Sequence, residues 1–183
     1  MDSGSATDGS YGRFDGSPSR SDLERFFFLD ETDPSHIRVR RGDHNRLGFA
    51  VQLTTVRYLG VFLVEPQNVP AVVVGHLREK LGLSAAVDLD QYVMRPKTAY
   101  EHSWEIRDAY GFRVFESPAV GEEFRRFLDG RAWTHAEGPA ALRDQAIGWL
   151  RRHRVLLPGS EITSRDTTQA SPTRPRTSFS NTP

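Results

Sequence analysis

The chain of 183 residues sets 24 lysines and arginines against 24 aspartates and glutamates and contains no cysteine. A hydrophobic share of 37% and a charged share of 26% exclude both a membrane-spanning protein and a chain disordered throughout. Without cysteine there is no disulfide, thiolate nucleophile or cysteine-based zinc site, and a cytosolic context follows.

Length allows one domain or two small ones, with roughly two-thirds of the unfolded surface buried on folding. The longest apolar runs, such as Ala71–Gly75 and Val61–Val64, fall far short of the ~20 residues of a spanning helix. The polar, acidic stretch Met1–Ser10 lacks the basic and apolar regions of a secretory signal. The charge balance conceals polarity along the chain. Asp22, Glu24, Asp30, Glu31 and Asp33 stand against Arg25, a local charge of about −4. Arg38, Arg40, Arg41, Arg46 and Arg57 stand against Asp43, about +4. Because separated charges are screened beyond ~10 Å, a positive stripe binds phosphate whatever the total.

Residues 1–20 read as a Gly-, Ser- and Asp-rich arm. Asp22 opens a short helix through Leu29. Asp33-Pro34 reads as a cap and first-turn proline, starting a second helix that runs to Arg41. Asp43 caps a longer helix through Tyr58, stopped by Gly60. Its apolar residues fall on two sides, one formed by Leu47, Ala50, Val51, Thr54 and Tyr58, the other by Phe49, Leu53 and Val56. This helix is therefore expected at the centre of a bundle, with the strip Asn45, Gly48, Gln52 and Thr55 left for water or a ligand.

Pro70–Leu81 is the next helix, ended by Gly82, and Ser84 is expected to cap another that turns Val87, Tyr92 and Val93 inward. Together they make a helix–turn–helix pattern over Val69–Met94, the geometry of a DNA reader or of an ordinary helical hairpin. Pro96 marks the expected boundary between a first unit (21–95) and a second (96–158), the latter with helices near Lys97–Tyr110, Ala119–Trp133 and Pro139–His153. On the first of these, Tyr100, Trp104, Ile106 and Tyr110 are expected to face the core, and Glu101, Glu105 and Asp108 the opposite side. Residues 159–183, rich in Ser, Thr, Pro and Arg, read as a disordered tail. The fold class is all-α, Val61–Val64 being the one weak strand candidate.

The segment Arg38–Arg46 is the main electrostatic candidate. It joins two helices and sets arginines beside a helix N-terminus, where backbone N–H groups favour anions. Arginine forks match phosphate oxygens and guanine edges, and Asn45 matches adenine. The alternative is that these arginines neutralise the acidic 22–33 block. His44, Gln52 and Arg57 extend the candidate contacts along the helix that Asp43 caps; Arg95 adds one at the end of the helix–turn–helix pattern, and Lys97, Thr98 and His102 supply those of the second unit. Metal and catalytic constellations find no support: the histidines are scattered, and neither a phosphate loop nor a nucleophile elbow is present.

Several strings occur together and in order. They are Tyr11-Gly12-Arg13-Phe14-Asp15-Gly16, Leu29-Asp30-Glu31-Thr32-Asp33 and Arg40-Arg41-Gly42-Asp43-His44-Asn45-Arg46-Leu47-Gly48-Phe49-Ala50. Gln52-Leu53, Val56-Arg57-Tyr58-Leu59-Gly60, Val69-Pro70, Lys97-Thr98, Tyr100-Glu101-His102, Glu105-Ile106-Arg107, Tyr110-Gly111 and Val155-Leu156-Leu157-Pro158-Gly159 follow. In these strings the chain resembles the N-terminal region of the Tn-three family of replicative transposases, from Tyr11 to Gly159.

The resemblance implies tandem centromere-protein-B-like helix–turn–helix units that help bind double-stranded DNA at the transposon's terminal inverted repeats. It implies no catalysis here, since the family's metal-binding Asp-Asp-Glu centre belongs to a much longer C-terminal region to which nothing in this chain matches. The pattern is left after Gly159, so the expectation is a truncated transposase without cofactor. Such a chain would be cytoplasmic and nucleoid-associated, competing with full-length transposase for element ends. The alternative is a non-binding remnant or a protein-interaction fragment.

Overall fold

The computed structural model describes residues 12–132 and 139–157, and among these it is all-α. Eight α-helices follow in order: α1 (Arg20–Phe26), α2 (Asp33–Arg38), α3 (Asp43–Leu59), α4 (Ala71–Leu81), α5 (Asp90–Val93), α6 (Pro96–Ala109), α7 (Pro118–Ala132) and α8 (Pro139–Arg152). No strand forms among the described residues; Arg113 and Val155 make an isolated parallel bridge. Of the expected arm, residues 1–11 lie outside the described residues, as does the expected tail 159–183, but Phe14 packs on Phe27 and Tyr58 and so joins the fold.

α3 is the axis of the bundle, as its two apolar sides require. Leu47, Phe49, Ala50, Val51 and Leu53 are fully buried, and α1, α2, α4, α5 and α6 all pack on it. The strip expected to face water is buried too: Gly48, Gln52 and Thr55 have no open surface, and Asn45 alone keeps some exposure. The reason lies in remote neighbours. Tyr92 of α5 lies flat on Gly48, and Gln52 is consumed by the backbone of Leu63, donating from Nε2 to its carbonyl (3.0 Å) and accepting its N–H at Oε1 (3.2 Å).

Helix ends follow local chemistry, with some shifts in who does the capping. Ser19 caps α1, and Asp22 closes a capping box from the third position. Asp33 opens α2 without capping it, because its carboxylate turns inward. Gly60 and Gly82 stop α3 and α4 in the left-handed region, at φ 79° and 64°, where a side chain would be strained.

The second helix of the expected helix–turn–helix differs most. Ser84 starts no helix. Residues 83–89 make turns in which Asp88 Oδ1 accepts the N–H of Asp90 (3.1 Å), and α5 is a single turn beginning six residues later. An Asx turn competes successfully with helix here because Leu89 and Tyr92 are buried from that conformation.

The main core passes across Pro96. Ala99, Ile106 and Tyr110 of α6 and its C-terminal end belong to the same buried cluster as Leu47, Leu53 and Tyr92. α6 presents Ala99, His102, Ser103 and Ile106 inward, while Tyr100 and Trp104 are half-buried. A smaller cluster joins α7 and α8 through Val120, Trp149 and Leu150, with Phe115, Phe124 and Phe127 against them. After α8 the chain returns to the centre: Leu157 N–H donates to the Gly60 carbonyl (2.9 Å), and Leu156 enters the main core.

Candidate nucleic-acid interface

Side-chain contacts fix the directions of three helices. Phe49 meets the His102 ring at 5.2 Å, and further along both helices Arg57 lies 5.3 Å from the Tyr110 ring, so α3 and α6 run parallel. α2 runs the opposite way beside both, since Asp33 reaches Arg57 and Tyr110 while Arg40, just past its end, reaches Phe49 and Glu105. The N-termini of α3 and α6 therefore open at one end, where the α2–α3 turn also arrives.

Neither N-terminus is closed by a side chain: Gly42 caps α3 at φ 84°, Arg95 caps α6, and no capping hydrogen bond is made by either. The first-turn N–H groups of each helix have no partner within the helix, and with the helix dipoles they favour an anion.

The sequence candidates separate into two groups. Arg38, Arg41 and Arg95 are exposed and touch no carboxylate among the described residues. Arg46 pairs with Asp43 within its own turn (3.0 Å), both side chains remaining about half open, and Lys97 pairs loosely with Glu101 (3.4 Å) at the surface. Exposed pairs of this kind are worth little and exchange readily for phosphate. His44, Asn45 and Thr98 are half-buried at the same end, and the Asn45 amide donates to the Arg41 carbonyl (2.7 Å), holding the turn. These are the residues the fold brings together.

The other four lie inside. Arg40 forms a bidentate pair with Glu105, both hydrogen bonds at 2.7 Å, and its guanidinium stacks over Phe49 at 4.6 Å. Arg57 grips Asp33 with two hydrogen bonds (2.8 and 2.9 Å), also reaches Asp30 (3.3 Å), and leaves its side chain 18% exposed. Within the acidic block Asp30 and Asp33 are thus paired by Arg57 and not by an arginine of Arg38–Arg46, of which Arg40 pairs with a carboxylate far along the chain. Thr32, more than Arg57, holds the Asp30 carboxyl below its usual range, by a hydroxyl hydrogen bond. Gln52 is the buried brace already described.

His102, expected at the surface, is 5% exposed. Its Nδ1 meets the Tyr92 hydroxyl at 3.1 Å, and the two rings stack. Burial first, and the nearby Arg40 charge second, push its pKa down to about 4. A folded-state value below the ordinary 6.5 means the unfolded chain binds the extra proton. The His102 contribution is therefore complete above pH 6.5 and is lost as pH falls toward 4. Urea melts between pH 7 and pH 4.5 should show a falling midpoint, and His102→Asn should flatten that fall.

Sequence reasoning missed one cation. α4 runs antiparallel to α3 and ends beside its start, so that Lys80 is exposed near Arg38 and Arg46. Its place in the last turn of a helix followed closely by glycine was the available signal. Among the described residues no group of three or more His, Asp or Glu side chains is placed to hold a metal, and no helix is long and apolar enough to cross a membrane.

Comparison with known proteins agrees with this architecture's family strings. Residues 5–170 match the family model described as "Domain of unknown function (DUF4158)", and the chain belongs to that family. It is 39% identical over 82% of its length to the transposase for transposon gamma-delta of Escherichia coli (strain K12). Identity is 31% over 74% of the chain to the transposase for transposon Tn1546 of Enterococcus faecium, and 34% over 83% to that for Tn501 of Pseudomonas aeruginosa. The chain spans about 15% of the length of these relatives. It is thus a transposase-related region of the Tn-three group.

Proposed function

We propose that the chain is a DNA-binding module of the Tn-three transposases, corresponding to their N-terminal region, which docks on the terminal inverted repeats and performs no strand chemistry itself. The observation that carries this is the open basic end, where Arg38, Arg41, Arg95 and the surface-paired Arg46 and Lys97 surround two parallel, uncapped helix N-termini. Arginine and lysine there would position the duplex by its phosphates, and His44, Asn45 and Thr98 would reach base edges from the first turns. In a cell the module would sit on DNA in the cytoplasm and compete with full-length transposase for element ends.

Footprinting on a duplex carrying the terminal inverted repeat of the associated element tests this. Protection is expected, and Arg41→Ala and Arg46→Ala should each weaken binding by about 1–3 kcal/mol. Arg126→Ala, which breaks a surface pair with Glu122 on α7, should leave the footprint unchanged. Absence of protection, or equal losses in all three variants, would defeat the proposal.

A second reading, a fragment that does not grip DNA, draws on the closure of Arg40 and Arg57 in internal pairs. Under that reading inverted-repeat DNA leaves the melting temperature where it is; specific binding raises it.

A further inference from the structure

Beside the basic end lies a groove of about 620 Å³ between the close of α1, α2, the first turn of α3 and the end of α4. Its floor is apolar, formed by Leu29, Ile37, Leu81 and Leu83, with Phe28 at its wall still 45% exposed. Three cations, Arg38, Arg46 and Lys80, stand around it, and no residue lining it is acidic, in a chain with as many carboxylates as cations. Arg46 keeps its side chain about 40% exposed at the groove's rim, held on its far side only by the surface pair with Asp43.

The combination selects among occupants. Duplex DNA satisfies the cations but is too broad to enter the groove, and its phosphates cover no apolar floor. A neutral apolar segment covers the floor and leaves the cations unmatched. We propose that the groove docks an acidic amphipathic peptide segment of a partner protein, its large apolar side chains on the Leu81–Leu83 floor and its carboxylates on Arg38, Arg46 and Lys80. The match is that of charge to charge and apolar to apolar surface, the arrangement that anchors a short segment in a groove. This inference stands apart from the DNA reading, although Arg38 and Arg46 are common to both, so peptide and DNA are expected to exclude one another.

The test is selection of random twelve-residue peptides on the full chain, without DNA, followed by anisotropy titration of the enriched sequences. The expected result is enrichment of peptides with carboxylates flanking aromatic or aliphatic residues. Their affinity should fall at least tenfold in the exposed double variant Arg38→Glu/Lys80→Glu, with unchanged circular dichroism, and be unaltered in Arg95→Glu/Lys97→Glu. No enrichment, enrichment of neutral or basic peptides, or binding indifferent to Arg38→Glu/Lys80→Glu overturns the proposal. Sedimentation equilibrium and a duplex titration alongside identify other occupants. A dimer dissolved by the same double variant, or a duplex that Arg38→Glu/Lys80→Glu releases when no peptide is enriched, replaces the peptide and also overturns it.

Discussion

Asp33→Ala lowers the unfolding free energy by about 3–5 kcal/mol, measured by urea denaturation at neutral pH. The carboxylate has no exposed surface and every interaction around it is of high quality. Oδ1 accepts from Arg57 (2.8 Å) and from the Tyr110 hydroxyl (2.8 Å); Oδ2 accepts from Arg57 (2.9 Å) and from the Asp30 N–H (2.8 Å). One side chain thus ties α2 to α3 and to the end of α6. Desolvation, and then the hydrogen bond to Asp33, raise the Tyr110 hydroxyl well above its ordinary value, as a group donating inside the protein should be.

Removing the carboxylate leaves a largely buried guanidinium with only the longer contacts to Asp30 and the Phe28 carbonyl (3.3 Å each), and this weakened pairing is the main cost. The double variant Asp33→Ala/Arg57→Met should consequently recover much of the loss. Additive losses would show that Asp33 acts through something other than this pair.

Gly48→Ala has the next largest expected effect, a loss of about 3 kcal/mol, or roughly 10 °C in Tm. An added Cβ would lie 2.4–2.5 Å from Cγ, Cδ1 and Cδ2 of Tyr92, a distance no real contact tolerates. Tyr92 has nowhere to move: it is fully buried, stacked on His102 and hydrogen-bonded to it. Either α5 leaves α3 or the helix axis shifts. In a Tyr92→Leu background the same substitution should cost under about 1 kcal/mol, because the ring that the methyl strikes is gone. Thermal melts of the four proteins of this cycle decide it.

Much of the architecture is legible in the residues. Apolar positions on two sides of α3 require a central helix, Gly60 and Gly82 stop their helices, and the family strings lead to the transposases. What escapes is of one kind: polar side chains whose partners are remote in sequence. Helical spacing places Gln52 and His102 on polar faces, but the Leu63 backbone and the Tyr92 hydroxyl take them into the core. Arg40 reads as a phosphate contact until Glu105, a whole fold away, claims it. Neutralisation of the acidic block is the alternative reading for Arg38–Arg46, yet the cation that pairs with Asp30 and Asp33 is Arg57, outside that segment. Ser84 shows the converse limit, a good start signal overruled by an aspartate turn and the burial of Leu89.

For the interface the consequence is a smaller and sharper surface. Two of the cluster's five arginines serve the fold, and what stays open is confined to the end where α3 and α6 begin. Phosphate binding there needs no net charge on the chain, only local cations that trade weak surface pairs for the duplex.

The direct measurement is the affinity of the full chain for inverted-repeat duplex as salt is raised from 50 to about 300 mM. If that end contacts about five phosphates, log K against log salt should fall with a slope of roughly −4 to −5, and Arg41→Ala/Arg95→Ala should reduce it by about two. A flat salt dependence, or a slope unaltered in that variant, would contradict the account.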